Sequence, residues 1–108
     1  MPFPLAGQRI CVLGHAGMVG SAIVRRLKPE EPAAILAPGR ADADLTSQAA
    51  VHAWMEKNRP DVVVIAAAKV GGILANSTYP VDFLYENIMI AANTIHAAHA
   101  AGVKKLLF

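Results

Sequence analysis

The sequence predicts the α/β class, a parallel sheet with helices on both faces. Three observations carry the prediction. An apolar run over residues 10–13 gives way to a glycine-spaced turn and then to a helical pattern. A second run, residues 61–66, is nearly continuous in β-branched residues, the composition of a strand covered on both sides. Segments of helical period lie between and after these runs, and strands alternating with helices build parallel βαβ units.

The first element is Ile10-Cys11-Val12-Leu13, followed by Gly14-His15-Ala16-Gly17-Met18-Val19-Gly20 and then Ser21-Ala22-Ile23-Val24-Arg25-Arg26-Leu27. Strand, tight turn and helix in that order make a phosphate site. The first N–H groups of a helix have no partner within it and carry partial positive charge, so a pyrophosphate suits that place. Gly14 permits the sharp turn, Gly17 lets backbone approach the phosphates, and Gly20 lets the helix lie close on the strand. An ordinary glycine-rich turn is the bland alternative. The spacing Gly-x-x-Gly-x-x-Gly resembles that of the short-chain dehydrogenase/reductase superfamily. That likeness implies a nucleotide cofactor held by residues 14–20.

Farther on, Lys28-Pro29-Glu30-Glu31-Pro32 breaks the helix into a surface loop. Residues 33–37 form a short second strand, and Pro38-Gly39 turns the chain. Arg40 lies twenty positions after Gly20, near the point where a NAD site offers an acid to the ribose. An arginine there suits the 2′-phosphate of NADP, because its planar fork holds phosphate oxygens bidentately. A solvated loop arginine is the alternative. Asp44-Leu45 resembles the acidic-Leu pair that superfamily members set against the adenine, Asp44 accepting from the amine and Leu45 covering the ring. Asp44 as a turn residue is the plainer reading. The extended piece around Asp44 is expected as strand three.

Thr46 or Ser47 can cap the next helix, whose inner face is Ala50, Val51, Trp54 and Met55. His52 falls off that stripe and is expected to be exposed. Asn58-Arg59-Pro60 stops the helix. The strand over residues 61–66 runs into Ala66-Ala67-Ala68-Lys69-Val70-Gly71-Gly72-Ile73, and parallel sheets bind ligands beyond such strand ends. Ala67 and Ala68 are small enough for a ribose or nicotinamide to lie against backbone. Lys69 contacts phosphate or substrate, or is simply exposed. A long helix then starts near Pro80 and runs to about Ala101, with Gly102 as terminator.

Leu84, Ile88, Ala91, Ile95 and Ala98 are expected to face the sheet. Tyr85, Met89 and Ala92 make a second apolar side, which suggests a homodimer through residues 80–101. His96 and His99 stand three apart but lack further ligands, so a surface or interface role is favoured over metal. Residues 103–108 read as a last strand, giving five strands in the order 3-2-1-4-5.

Bulk properties narrow the function. The chain has 108 residues, 55% hydrophobic and 17% charged, with net charge +2. It is globular, and no basic stripe interleaved with aromatics suggests nucleic acid. The single cysteine, Cys11, lies within the first strand and reads as a small buried residue. The first residues do not resemble a signal peptide, and no apolar run is long enough to cross a bilayer. A cytoplasmic protein with no membrane partner is expected.

The residues 14–23, the block Ala-Ala-Ala-Lys-Val-Gly-Gly-Ile at 66–73, Asn76, Thr78-Tyr79-Pro80, Asp82-Phe83 and Ile95-His96-Ala97-Ala98-His99 together resemble the GDP-L-fucose synthase family, extended short-chain dehydrogenase/reductases of Rossmann-like fold. The resemblance covers nearly the whole chain. It implies NADP as cofactor, a GDP-sugar substrate, and a double epimerisation followed by reduction. It also implies that Asn87 supports the catalytic groups; a capped or solvent-facing amide is the alternative. Ala16 stands where bacterial members often carry a basic residue, which leaves Arg40 with more of the 2′-phosphate. The family's Ser, Tyr-x-x-x-Lys pair and acid/base His lie beyond the strand ending at Phe108, so no catalytic residue is expected among residues 1–108. The expectation is therefore the front part of a cofactor domain, cut after its fifth strand, with the substrate domain absent. Another nucleotide-sugar epimerase or dehydratase, and a non-catalytic NADP sensor, are the rival readings.

Overall fold

The computed structural model describes residues 3–66 and 80–108. Its elements are β1 (Arg9–Leu13), α1 (Met18–Leu27), a 3₁₀ turn (Lys28–Glu30), β2 (Ala34–Leu36), α2 (Gln48–Asn58), β3 (Val62–Ile65), α3 (Pro80–Ala100) and β4 (Lys105–Leu107). The strands form one parallel sheet in the order β2-β1-β3-β4. In register, Ile10 stands beside Ile35 and Val62, Cys11 beside Leu36 and Val63, and Val63 beside Leu106.

The α/β expectation holds, and the two-residue period of the strands explains its layers. Ile10, Val12, Val62 and Val64 point to one face, where Leu27, Ile23 and Val24 of α1 cover them. Cys11, Leu13, Val63 and Ile65 point to the other, against Val51 and Met55 of α2 and Ala97 and Ala98 of α3. Every residue of β3 is buried, as its unbroken apolar sequence requires. Cys11 is fully buried, and burial pushes its thiol up to about 12, so it is inert at neutral pH. Trp54 is half-buried against the α2–α3 core.

The expected strand at Asp44 does not form, so the described sheet has four strands rather than five. Local hydrogen bonds take up the backbone there. Asp42 and Ala43 donate to the Gly39 carbonyl at 3.0 and 3.1 Å, Asp42 Oδ2 accepts from Gly39 N at 2.8 Å, and Ser47 N donates to Asp44 O. Such side-chain-closed turns compete with a ladder, and here they win. Ser47 caps α2, accepting from Ala50 N at 3.3 Å.

The expected face of α3 is also corrected. Leu84, Ile88 and Ile95 are 61, 55 and 45% exposed, whereas Asn93, Thr94, Ala97 and Ala98 are buried. Small residues let α3 approach α2 and the sheet closely. The two buried polar groups are satisfied: Thr94 Oγ1 donates within its own helix, to Ile90 O or Ala91 O, and Asn93 Nδ2 donates to Leu45 O. Gly102, at φ +77°, ends the helix as expected. Its N–H donates to His99 O and that of Val103 to Ala98 O, the paired bonds of a Schellman stop.

Candidate functional site

The strand order places a switch point between β1 and β3, because α1 covers one face of the sheet and α2 the other. A cleft of about 410 Å³ opens there, at the carboxyl ends of the strands. Gly14, His15, Ala16 and Gly17 form one wall, Arg40, Asp44 and Leu45 another, and Ala66 at the end of β3 contributes to the lining.

The three glycines differ in what they do. Gly14 adopts φ +85°, which turns the chain at the end of β1 at no steric cost. Gly20 is buried beneath that turn, and a Cβ on it would collide with the Gly14 carbonyl. The absent side chain is what seats α1 on β1. Gly17 is the N-cap of α1, and a Cβ there would meet only Gly14 O, at an ordinary 3.5 Å. Packing within the chain does not demand glycine at 17. The open cleft beside it leaves room for a ligand against main chain. No side chain caps α1, so its first N–H groups keep their hydrogen-bonding capacity. Gly17 N itself donates to Gly14 O at 3.1 Å.

Met18 and Val19 lie in that first turn with side chains 89 and 64% exposed; they and Gly20 do not line the cleft. Arg40 lines it from an exposed turn and makes no hydrogen bond or ion pair among the described residues. Asp44 lines it too, as an Asx turn. Its Oδ1 accepts from Thr46 Oγ1 at 2.7 Å and Thr46 N at 3.0 Å. The Thr46 hydroxyl above all, then its N–H, holds the Asp44 carboxyl below the usual range, and the Arg40 charge adds to this. The carboxylate is therefore ionised and fixed in direction at neutral pH. Leu45 is half-buried at the cleft's floor against the core. Ala67, Ala68 and Lys69 lie outside the described residues.

Lining residues outside the expected set include Pro38, Gly39, Ala43 and Thr46 from the loop after β2 and, from a distant element, Glu86 and Ile90 of α3. With Asn93 the last two fall at i, i+4 and i+7, one face of a helix. That period was available in the sequence, and the large aliphatics of the opposite face concealed it. Among the described residues no three His, Cys, Asp or Glu gather as a metal site, and no helix is long and apolar enough to cross a membrane.

Comparisons with known proteins agree with this geometry. The profile of the NAD dependent epimerase/dehydratase family matches residues 10–108. GDP-L-fucose synthase of Sinorhizobium fredii is 52% identical over 96% of the chain, which spans 33% of that protein. The solved structure of DdhaC superimposes with a TM-score of 0.89 at 48% identity, over 94% of this chain and 29% of that one. A GDP-L-fucose synthetase from Naegleria fowleri, solved with NADP bound, gives a TM-score of 0.80 at 29% identity, over 98% of this chain and 32% of that one. The chain thus spans about a third of the length of these relatives. Matched along nearly all of its length, and carrying the glycine turn at the switch point of its sheet, the chain belongs to the NAD dependent epimerase/dehydratase family.

Proposed function

We propose that the chain is the NADP-binding front part of a GDP-L-fucose synthase, acting on a GDP-linked keto sugar in the full-length enzyme. One observation carries the reading: an open cleft where a helix start without a side-chain cap, a glycine turn and an arginine with no ion pair among the described residues converge at the switch point. The residues present fit the dinucleotide. Gly17 leaves space for a pyrophosphate beside the free N–H groups of α1. Arg40 supplies a cation for the 2′-phosphate from an exposed turn on the cleft wall. Asp44, ionised and held by Thr46, is oriented to accept from the adenine amine, and Leu45 presents apolar surface to the ring. Ala67, Ala68 and Lys69 are proposed to continue the site toward the nicotinamide.

Bound NADPH supplies hydride for reduction of the keto sugar. This chain's own residues bind and orient that cofactor at the strand ends. The acid/base groups and the sugar pocket are assigned to the rest of the enzyme. The likeness to GDP-L-fucose synthases over nearly the whole chain supports the substrate class. A homodimer is proposed through the outer face of α3, where Val81, Leu84, Tyr85 and Ile88 are more than half exposed. A reduced, buried Cys11 fits the cytoplasm.

The test is NADPH titration followed by thermal melting, since a ligand that binds only the folded state raises Tm. A rise with NADPH larger than with NADH supports the proposal. No rise with either nicotinamide cofactor, oxidised or reduced, would overturn it.

A further inference from the structure

Away from the cleft, α2 and α3 bring two metal-ligating side chains together. His52 Nε2 and His96 Nδ1 lie 3.0 Å apart, 44 residues distant in sequence. Their ring centroids are 5.0 Å apart and the planes are tilted by 55°. The sequence suggests an exposed His52 and sets His96 three residues from His99 without favouring a metal pair; in the fold His52 is half-buried and pairs with His96 across two helices. The backbones that carry the pair are well anchored. His52 follows Val51 and His96 precedes Ala97, and both of those neighbours are buried in the α2–α3 core. His96 is exposed and His52 half-buried, so the pair faces solvent.

We propose that His52 and His96 form a two-nitrogen site for a late divalent transition metal, copper(II) above all. Imidazole nitrogen is a ligand of choice for copper, nickel and zinc, and copper(II) binds such donors most tightly in the first-row series. At metal–nitrogen distances of about 2.0–2.1 Å, nitrogens this close can both reach one ion, in the cis positions of a tetragonal site.

The 3.0 Å contact takes one N–H between the rings, its donor set by the tautomer. On binding, that proton moves to the far nitrogen of its own ring, so each ring offers a lone pair to the metal. Each ring turns about χ2 to aim at the ion, a torsion with broad minima. Two waters leave the metal and no electron is transferred. Among the described residues no third His, Cys, Asp or Glu joins the pair, so water or a small chelate completes the coordination.

The test titrates the full 108-residue chain with copper(II) iminodiacetate, which leaves two cis positions open. Electron paramagnetic resonance is expected to show one equivalent coordinated by two protein nitrogens. Tm is expected to rise, because the ion ties α2 to α3 only in the folded chain. His52→Gln and His96→Gln should each weaken binding by at least about tenfold, the loss that even outer-shell changes can cause, and abolish the rise. His99→Gln should leave both intact. Coordination through one nitrogen in the unaltered protein would overturn the proposal, whatever the variants do. So would wild-type affinity in His52→Gln, or a loss in His99→Gln equal to that in His96→Gln, which would place the site along α3 alone.

Discussion

Asn93 of α3 donates through Nδ2 to the Leu45 carbonyl at 3.0 Å, joining a buried helix face to the floor of the cleft across 48 residues. The bond fixes the loop that presents Asp44 and Leu45. Replacing Asn93 by Ala leaves a carbonyl without its partner and removes that tether. We expect a loss of about 1–3 kcal/mol in stability. NADPH affinity should fall as well, and more than affinity for a nicotinamide mononucleotide fragment that lacks adenine. Urea unfolding and calorimetric titration check the two parts. Equal loss of affinity for both ligands would mean that the tether has no special bearing on the adenine end.

Two glycines of one turn should respond differently. Gly20→Ala drives a methyl into the Gly14 carbonyl, so α1 must shift on β1. A cost of about 1–3 kcal/mol is expected with or without ligand, as for other overpacked sites. Gly17→Ala meets only an ordinary contact at 3.5 Å, and its extended backbone suits any residue. It should cost at most about 1 kcal/mol, the scale of an N-cap change. Its methyl would nevertheless occupy the space proposed for the pyrophosphate. The Tm rise with NADPH should therefore vanish in Gly17→Ala while the ligand-free melt stays near wild type.

The contrast between these glycines shows what the sequence made legible. Strand, turn and helix are local, and their order in the sequence marks the glycine turn and the helix start beside it. The turns that Asp42 and Asp44 close are also local, and they displace the third strand expected there. The other failures were non-local. On α3 both sides are apolar, so period alone could not choose the buried one. Thr94 finds its acceptor within the helix, but buried Asn93 needs the Leu45 carbonyl, which is supplied from 48 residues away. The His52–His96 contact depends likewise on how α2 packs against α3.

Arg40 is the test of cofactor choice. It is exposed on the cleft wall and forms no pairing among the described residues, so its removal disturbs little of the fold. Charge-assisted bonds of this kind are worth about 1.5–3 kcal/mol, or roughly ten- to hundredfold in affinity. Arg40→Ala should lose that factor for NADPH and little for NADH, and its NADPH binding should depend less on salt. Parallel titrations with the two cofactors at two salt concentrations measure both. An unchanged NADPH preference would move the 2′-phosphate contact elsewhere.

Acid sensitivity should trace in part to Asp61, which braces the other end of the sheet. Its Oδ2 accepts from Arg9 N at 2.8 Å, its carbonyl accepts from Lys104 N and Lys105 N, and Lys104 Nζ lies 3.6 Å from Oδ1. The Arg9 N–H, more than the charge of Lys104, holds the carboxyl below its ordinary 3.8. A carboxyl depressed in the folded state binds protons more readily once unfolded, so acid favours unfolding. Its contribution is complete above the ordinary value and disappears as pH falls through the lowered one. Asp61→Asn should therefore melt several degrees lower at neutral pH and lose less on acidification below that value. Asp44, depressed by Thr46, remains, so the acid limb shrinks without vanishing. Urea midpoints of wild type and Asp61→Asn taken across that range decide it, and parallel curves would show that Asp61 does not carry the acid response.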